Sequence, residues 1–337
     1  MKCRAIIGSL LMCLVVAAQP AGTRSDTSLP TRQLQVHDPT LIRAKDRYYL
    51  FCTGRGIRVF SSADLKTWRQ EEPVFKTPPA WAVKAVPGYN GHTWAPDISF
   101  HNGRYYLYYS VSLFGKNRSC IGLLTNKTLG PQDPEFRWED QGMVLRSVPG
   151  YDPWNAIDPN LIIDEKGLPW LSFGSFWNGI QILQLERSYK KPVEGTTPQT
   201  IASRVKTAGI PDAGGAIEAP FIFRKGAFYY LFASWDYCCK GWDSNYKVVT
   251  GRSRQIAGPY LDKEGHPMAQ NGGSVFVRGD GREWMGIGHN AVFTDTDGTE
   301  YFVAHGYDGY DNGKPKLLIR KIRWDAAGWP CLDASSE

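Results

Sequence analysis

A five-bladed β-propeller, all-β with each blade a four-stranded antiparallel sheet, is the fold predicted by this 337-residue sequence. Three observations predict it: a turn followed by an aromatic strand recurs five times, the copies are nearly evenly spaced, and no helical period is sustained over three turns beyond the first eighteen residues. Val36-His37-Asp38-Pro39 leads to Tyr48-Tyr49-Leu50-Phe51, and Trp94-Ala95-Pro96-Asp97 leads to Tyr105-Tyr106-Leu107-Tyr108-Tyr109. Ala156-Ile157-Asp158-Pro159 leads to Trp170-Leu171-Ser172-Phe173, and Ile217-Glu218-Ala219-Pro220 to Phe228-Tyr229-Tyr230-Leu231-Phe232. Gly288-His289-Asn290-Ala291 leads to Tyr301-Phe302-Val303-Ala304. Aligned on Pro39, Pro96, Pro159, Pro220 and Ala291, the copies lie 57, 63, 61 and 71 residues apart, the length of a propeller blade.

Each blade is a meander of short β-type runs divided by turn residues. In the first, Ala44-Lys45-Asp46 and Gly54-Arg55-Gly56 turn the chain between strands. His101-Asn102-Gly103, Asp164-Glu165-Lys166-Gly167, Arg224-Lys225-Gly226 and Asp295-Thr296-Asp297-Gly298 are the matching hairpin turns of the other four. The paired aromatics are core, because alternate residues of a strand face opposite sides and bulky rings fill the wedge between blades.

Residues 1–18 carry Lys2 and Arg4 ahead of an apolar run ending in small residues, a secretory signal too short to span a bilayer. A lipoprotein anchor at Cys13 fits less well, because Met12 precedes it. Residues 19–33 are a polar tail, residues 34–332 a single catalytic propeller, and the protein is expected outside the cell or in a periplasm. A net charge of +6, falling to +4 with the signal removed, and the absence of a dense basic patch argue against nucleic acid. No further stretch is apolar enough for a membrane. Five cysteines remain after the signal, an odd number at irregular spacing. Neighbouring Cα atoms across a trans peptide lie about 3.8 Å apart, below the usual bridged range, so Cys238 and Cys239 are expected as two unpaired thiols buried near a site, with a strained vicinal disulfide as the alternative.

In a propeller the first strand of every blade lines the central channel and runs the same way, so the residues that precede these strands gather at one mouth. That places Asp38, Asp158 and Glu218 together. Blades three and four are neighbours and blade one touches neither, so Asp158 and Glu218 sit close and hold a proton near neutral pH, while Asp38 faces them ionised. A protonated acid opposite a carboxylate is equipment for breaking a glycosidic bond. Trp94, Phe114, Trp154, Trp177 and Trp235 are candidate stacking surfaces for sugars, and Asn155, Ser175 and Asn178 candidate partners for hydroxyls. Asp97, one residue after its proline rather than one before, is assigned a structural role. His289 occupies the acid slot of blade five, where it orients an acid or holds an ion with a mostly water shell.

These stretches resemble glycoside hydrolase family 43, and within it the endo-acting 1,5-α-L-arabinanases. The matching runs are Val36 to Pro39, Gly91 to Asp97, Asn155 to Asn160, Ser172 to Trp177, Ile217 to Phe221, Cys238 to Gly241 and Gly288 to Ala291. The resemblance implies hydrolysis of internal α-1,5 links of arabinan with inversion, with Asp38 as general base, Glu218 as general acid and Asp158 tuning Glu218. It also implies a channel ion, often calcium, at His289, no organic cofactor, and a sugar groove lined by His37, Asn155, Ile157, Ser175 and Trp177. Arabinan is then the expected partner, with neither nucleic acid nor membrane, and the chain is expected to be a monomer. The alternatives are an exo-acting α-L-arabinofuranosidase or β-xylosidase of the same family, whose groove is closed at one end, and a sugar- or protein-binding propeller without turnover. The last has little use for three mutually repelling acids.

Overall fold

The computed structural model describes Met1, residues 28–204 and residues 215–332. Apart from Met1, the signal read over 1–18 lies outside the described residues, as does the tail as far as residue 27. Five antiparallel sheets follow one another along the chain. Their innermost strands are Thr40–Ala44, His92–His101, Asn160–Ile163, Ile217–Lys225 and Trp284–Thr294. Each pairs with the aromatic strand read from the sequence, Arg47–Cys52, Arg104–Val111, Pro169–Phe173, Phe228–Trp235 and Glu300–Asp308. Two further strands complete every blade.

Local chemistry explains the hairpins. Asn102 and Gly103 both take positive φ, 50° and 73°, as a tight two-residue turn requires, and these residue types tolerate it. Two short pieces depart from the four-strand plan. Leu29–Pro30, read as tail, pairs with the outer strand Thr67–Gln70 of blade one, and Gly54–Arg55, read as a turn, joins the edge of blade two. A six-residue helix, Ala80–Ala85, begins after Pro79 and buries Ala82 between the first two blades.

The period of two divides the aromatic strands as expected. Tyr49 and Phe51 pack against blade two, while Tyr48 and Leu50 pack against blade five. Tyr105, Leu107 and Tyr109 face blade one, while Tyr106 and Tyr108 face blade three. Tyr229 and Leu231 face blade three, and Tyr230 and Phe232 face blade five. One apolar core therefore fills each junction between blades, and each fully buried ring contributes on the order of 2–3 kcal/mol. Trp154 and Trp235, candidates for sugar stacking, pack against two of these cores instead.

The junction between blades five and one, where the ring closes, is held by the entry to blade one. Leu317 N–H donates to Leu34 O at 2.9 Å, and Gln35 bridges to Lys316. Arg32 pairs with Glu283, while Arg43 and Tyr48 both reach Asp295, at 2.6 and 2.5 Å. Among the described residues no helix is long and apolar enough to cross a membrane.

Candidate active site

The same distortion precedes or interrupts every innermost strand. Asp38, Ala95, Asp158, Ala219 and His289 take positive φ between 44° and 56°. The pairing registers skip there, from Trp94 to Asp97, from Glu218 to Phe221 and from Gly288 to Ala291. Such a bulge re-aims a side chain and sharpens the local twist. It also corrects the alignment of the fifth copy: Asn290, not Ala291, stands in the proline slot, so His289 shares the slot of Asp38 and Asp158. Glu218 stands one residue earlier, the slot of His37, Trp94 and Ile157.

The amide released by each bulge is held by a side chain of the preceding blade. Ala95 N–H donates to Thr53 Oγ1 at 2.9 Å, Asp158 N–H to Ser110 Oγ at 2.9 Å and His289 N–H to Ser234 Oγ at 2.8 Å. Asp38 N–H donates to His305 Nδ1 at 3.1 Å. Thr53, Ser110, Ser234 and His305 all lie at or near the end of the second strand of their blades. In blade three that position is Gly174, where a Cβ would lie 2.4 Å from Gly179 O at a φ of +126°. No side chain is available, and Asp158 takes over, its Oδ2 accepting from Ala219 N–H at 3.1 Å. The residue next to Glu218 is thereby tied to Asp158.

The three acids are buried and differently supported. Asp38 Oδ1 accepts from Nδ1 of His37 at 2.8 Å and from Nδ1 of His289 at 3.0 Å, and Oδ2 accepts from Thr53 Oγ1 at 2.5 Å. Burial pushes the Asp38 carboxyl up, but His289 and His37 together hold it well below the ordinary carboxylate range. Burial disfavours charge on His289, yet contact with Asp38 lifts its pKa to about 9, making it an imidazolium at neutral pH. Burial raises Asp158 to about 8, the negative charges of Glu218 and Asp38 adding to the effect and His289 opposing it. Asp158 therefore holds a proton at neutral pH. Glu218 accepts from Ser175 Oγ at Oε2 and from Tyr246 Oη at Oε1, both at 2.7 Å. Asp158 keeps its proton beside Glu218, as two like charges at close range require. Ionised Asp38 faces protonated Asp158 across the channel mouth.

The family model for glycosyl hydrolases family 43 matches residues 28–330. The chain belongs to glycoside hydrolase family 43. It is 50% identical over 305 residues to an extracellular exo-α-(1→5)-L-arabinofuranosidase of Cellvibrio japonicus, covering 90% of this chain and 87% of that protein. It is 42% identical over 299 residues to an extracellular endo-α-(1→5)-L-arabinanase of Bacillus subtilis, covering 88% and 87%. Among solved structures it resembles an exo-1,5-α-L-arabinanase from a bovine ruminal metagenomic library, with a TM-score of 0.85, 54% identity and coverage of 90% and 98%. An α-L-arabinanase of Cellvibrio cellulosa in complex with arabinohexaose also matches, with a TM-score of 0.85, 49% identity and coverage of 89% and 96%. The five-bladed propeller predicted from the repeats is thus the architecture of a family 43 arabinanase.

In this family 43 site the remaining candidates divide. His37 and Ser175 touch the acids directly, and Ile157 is buried beside Asp158, its carbonyl accepting from Gly174 N–H at 2.8 Å. Asn155 is buried with Oδ1 accepting from Ser119 Oγ at 2.7 Å, and Asn178 binds Thr200. Trp94 donates to His92 Nδ1 at 2.9 Å and is half-buried. Phe114 is 82% exposed and Trp177 44% exposed, as is Tyr151 at 87%. Rings so exposed are not held by the core. Asp97 ties blade two to blade three, accepting from Leu161 N–H at 2.8 Å. Burial raises its pKa to about 6.

His289 Nδ1 is committed to Asp38, so Nε2, once an ion displaces the proton it carries in the imidazolium, is the atom left for a channel ion. Buried Asn290 next to it has both side-chain amide atoms without a hydrogen-bond partner among the described residues. One imidazole nitrogen and one amide oxygen fit an ion whose shell is completed by water.

The cysteine expectation is overturned. Cys238 and Cys239 form a disulfide across adjacent residues, with Cα atoms 3.8 Å apart, and Cys239 takes a φ of 66°. The left-handed turn at Cys239 brings together two side chains that an extended pair would point apart. Sequence reasoning also missed Tyr246, Tyr307 and the four side chains that hold the bulges. The last had a visible signal, since Thr53, Ser110, Ser234 and His305 follow their blades' slot residues by 15 or 16 positions.

Proposed function

We propose that this chain is a secreted hydrolase of α-1,5-linked arabinan that acts with inversion, Asp38 serving as general base, Glu218 as general acid and Asp158 as the group that supplies and regulates the pair's proton. The observation that carries the reading is the placement of three buried acids: Asp38 held by the imidazoles of His37 and His289, opposite Asp158 and Glu218, which two hydroxyls orient. Water beside Asp38 attacks the anomeric carbon as positive charge develops there, and gives its proton to Asp38. The leaving oxygen takes the pair's proton through Glu218. An ion at His289 Nε2, when bound, supplies positive charge beside Asp38.

Secretion is supported by the signal-like first eighteen residues and by the extracellular names of the two relatives above. The mode weighs toward release from chain ends, because the relatives at 50% and 54% identity are named exo-acting. The endo mode expected from the sequence has its support in the 42% relative and remains the second reading. Product sizes over time from linear arabinan, with the released anomer followed by NMR, test all parts. A β-configured product is expected, and an α product or no release overturns the proposal. An early spread of intermediate lengths restores the endo mode.

The alkaline limb of the pH profile tests the pairing. In the wild type, activity falls as pH rises through about 8, where the pair loses its proton. Asp158→Asn removes the group that titrates there, so the limb at about pH 8 is expected to disappear. A pH–kcat/KM series on both proteins checks this, and a limb that stays at about 8 in the variant counts against the pairing.

A further inference from the structure

The disulfide lies outside the acid trio, yet a short chain of hydrogen bonds joins it to Asp38. Cys239 N–H donates to Tyr307 Oη at 2.7 Å. Tyr307 Oη lies 2.8 Å from His37 Nε2 and 3.3 Å from His305 Nε2. His37 Nδ1 meets Asp38 Oδ1 at 2.8 Å, and Cys239 Sγ stands 3.7 Å from His37 Nε2. The His37 and His305 rings stack at 3.9 Å between centroids.

Donor and acceptor counting assigns every proton in this chain. His305 Nδ1 accepts from Asp38 N–H, so its proton is on Nε2, and that proton goes to Tyr307 Oη. The Cys239 amide fills the second acceptor position of Tyr307 Oη. The Ser244 side chain also reaches Tyr307, and what leaves His37 Nε2 to accept the phenol proton is the Asp38 carboxylate, an acceptor only, at Nδ1. His37 must then carry its proton on Nδ1, the atom that meets Asp38. Were the Cys239 amide withdrawn, Tyr307 would have a free acceptor position, and His37 would be able to turn or to place its proton on Nε2.

We propose that the Cys238–Cys239 disulfide and Tyr307 are positioning elements of the reaction: the bridge fixes the Cys239 amide on Tyr307, and Tyr307 fixes the tautomer and orientation of His37, which holds Asp38. This rests on Asp38 acting as the base. The residue held by the bridge is in the left-handed region, which a free cysteine leaves readily. Cys239 is also exposed, so a reagent can reach it. No other disulfide is present among the described residues, where Cys52 and Cys120 are buried free thiols and Cys331 an exposed one.

The test is reduction of the whole protein with a water-soluble phosphine. The S–S bond breaks, phosphorus gives up two electrons and leaves as the oxide with oxygen from water, and the two protons of that water complete two thiols. Reduction is expected to lower kcat on linear arabinan about tenfold, with KM changed much less, the size of one lost hydrogen bond to a group that must stay oriented. Tyr307→Phe, which keeps the ring, is expected to show the same loss and no further loss on reduction, because both act through one chain. Long-range ¹H–¹⁵N NMR of His37 is expected to report the Nδ1–H tautomer in the oxidised protein and a mixture after reduction. An equal additional loss in reduced Tyr307→Phe, or an unchanged kcat and unchanged His37 signals on reduction, overturns the proposal. If the oxidised protein releases nothing from arabinan, the proposed function fails. The His37 signals then decide this inference alone.

Discussion

Glu218→Gln is expected to reduce kcat/KM on linear arabinan by about a thousandfold, within the range that general acid catalysis supplies. The amide oxygen accepts from one of the two hydroxyls and the amide NH2 donates to the other, so contacts with both Ser175 and Tyr246 persist and the fold is retained. What disappears is the proton for the leaving oxygen. A dinitrophenyl arabinofuranoside needs no such proton, since its leaving group departs as a stable anion. The variant is therefore expected to lose tenfold or less on that substrate. Comparing kcat/KM on the two substrates checks the assignment. Equal losses on both point to a role for Glu218 other than protonating the leaving group.

Asp38→Asn is expected to cost at least as much, about 10³–10⁴-fold, and to cost it equally on both substrates. Water must be deprotonated whichever group leaves. The variant has a second signature in His289, whose pKa of about 9 is sustained by contact with Asp38 against the effect of burial. With an uncharged amide there, burial is left as the main influence, and the imidazole titrates well below that value. An NMR titration of His289 in the two proteins measures the change. A pKa that stays near 9 shows that Asp38 does not supply the opposing charge, and a loss confined to the arabinan substrate removes Asp38 from the role of base.

Much of this site was legible in the chain. Tyr48 to Phe51 and Tyr105 to Tyr109 alternate because a blade has two buried faces, and five such strands fixed the number of sheets. That number alone placed Asp158 beside Glu218 and set Asp38 apart. The rest lay beyond a one-dimensional pattern. Leu29–Pro30 and Gly54–Arg55 are too short to show a period, and the six residues of Ala80–Ala85 too few to mark a helix. The fifth copy has no proline to align on, so Ala291 took a place that belongs to Asn290. Tyr246 and Tyr307 look like core rings until the folded chain shows which acid and which imidazole their hydroxyls reach. The disulfide depends on one left-handed residue, and backbone handedness at a cysteine leaves no mark in composition.

Leu34, Gln35 and the side chains of Arg32, Arg43 and Tyr48 give the junction between the last and first blades a character of its own. Each of the other junctions is crossed by chain passing directly from one sheet to the next. This one joins sheets from opposite ends of the sequence, so its polar part is a backbone bridge, the amide bonds of Leu317 and Asp38, the His37–Tyr307 and His289–Asp38 contacts and a few charged pairs. Added salt weakens such charged contacts more than it weakens apolar packing. Rupture of the circle under stress is therefore set to start here, and His305 and Asp38 meet across this same boundary. Loss of hydrolysis is expected to precede loss of β signal as salt and temperature rise, because Asp38, the proposed base, stands at this boundary.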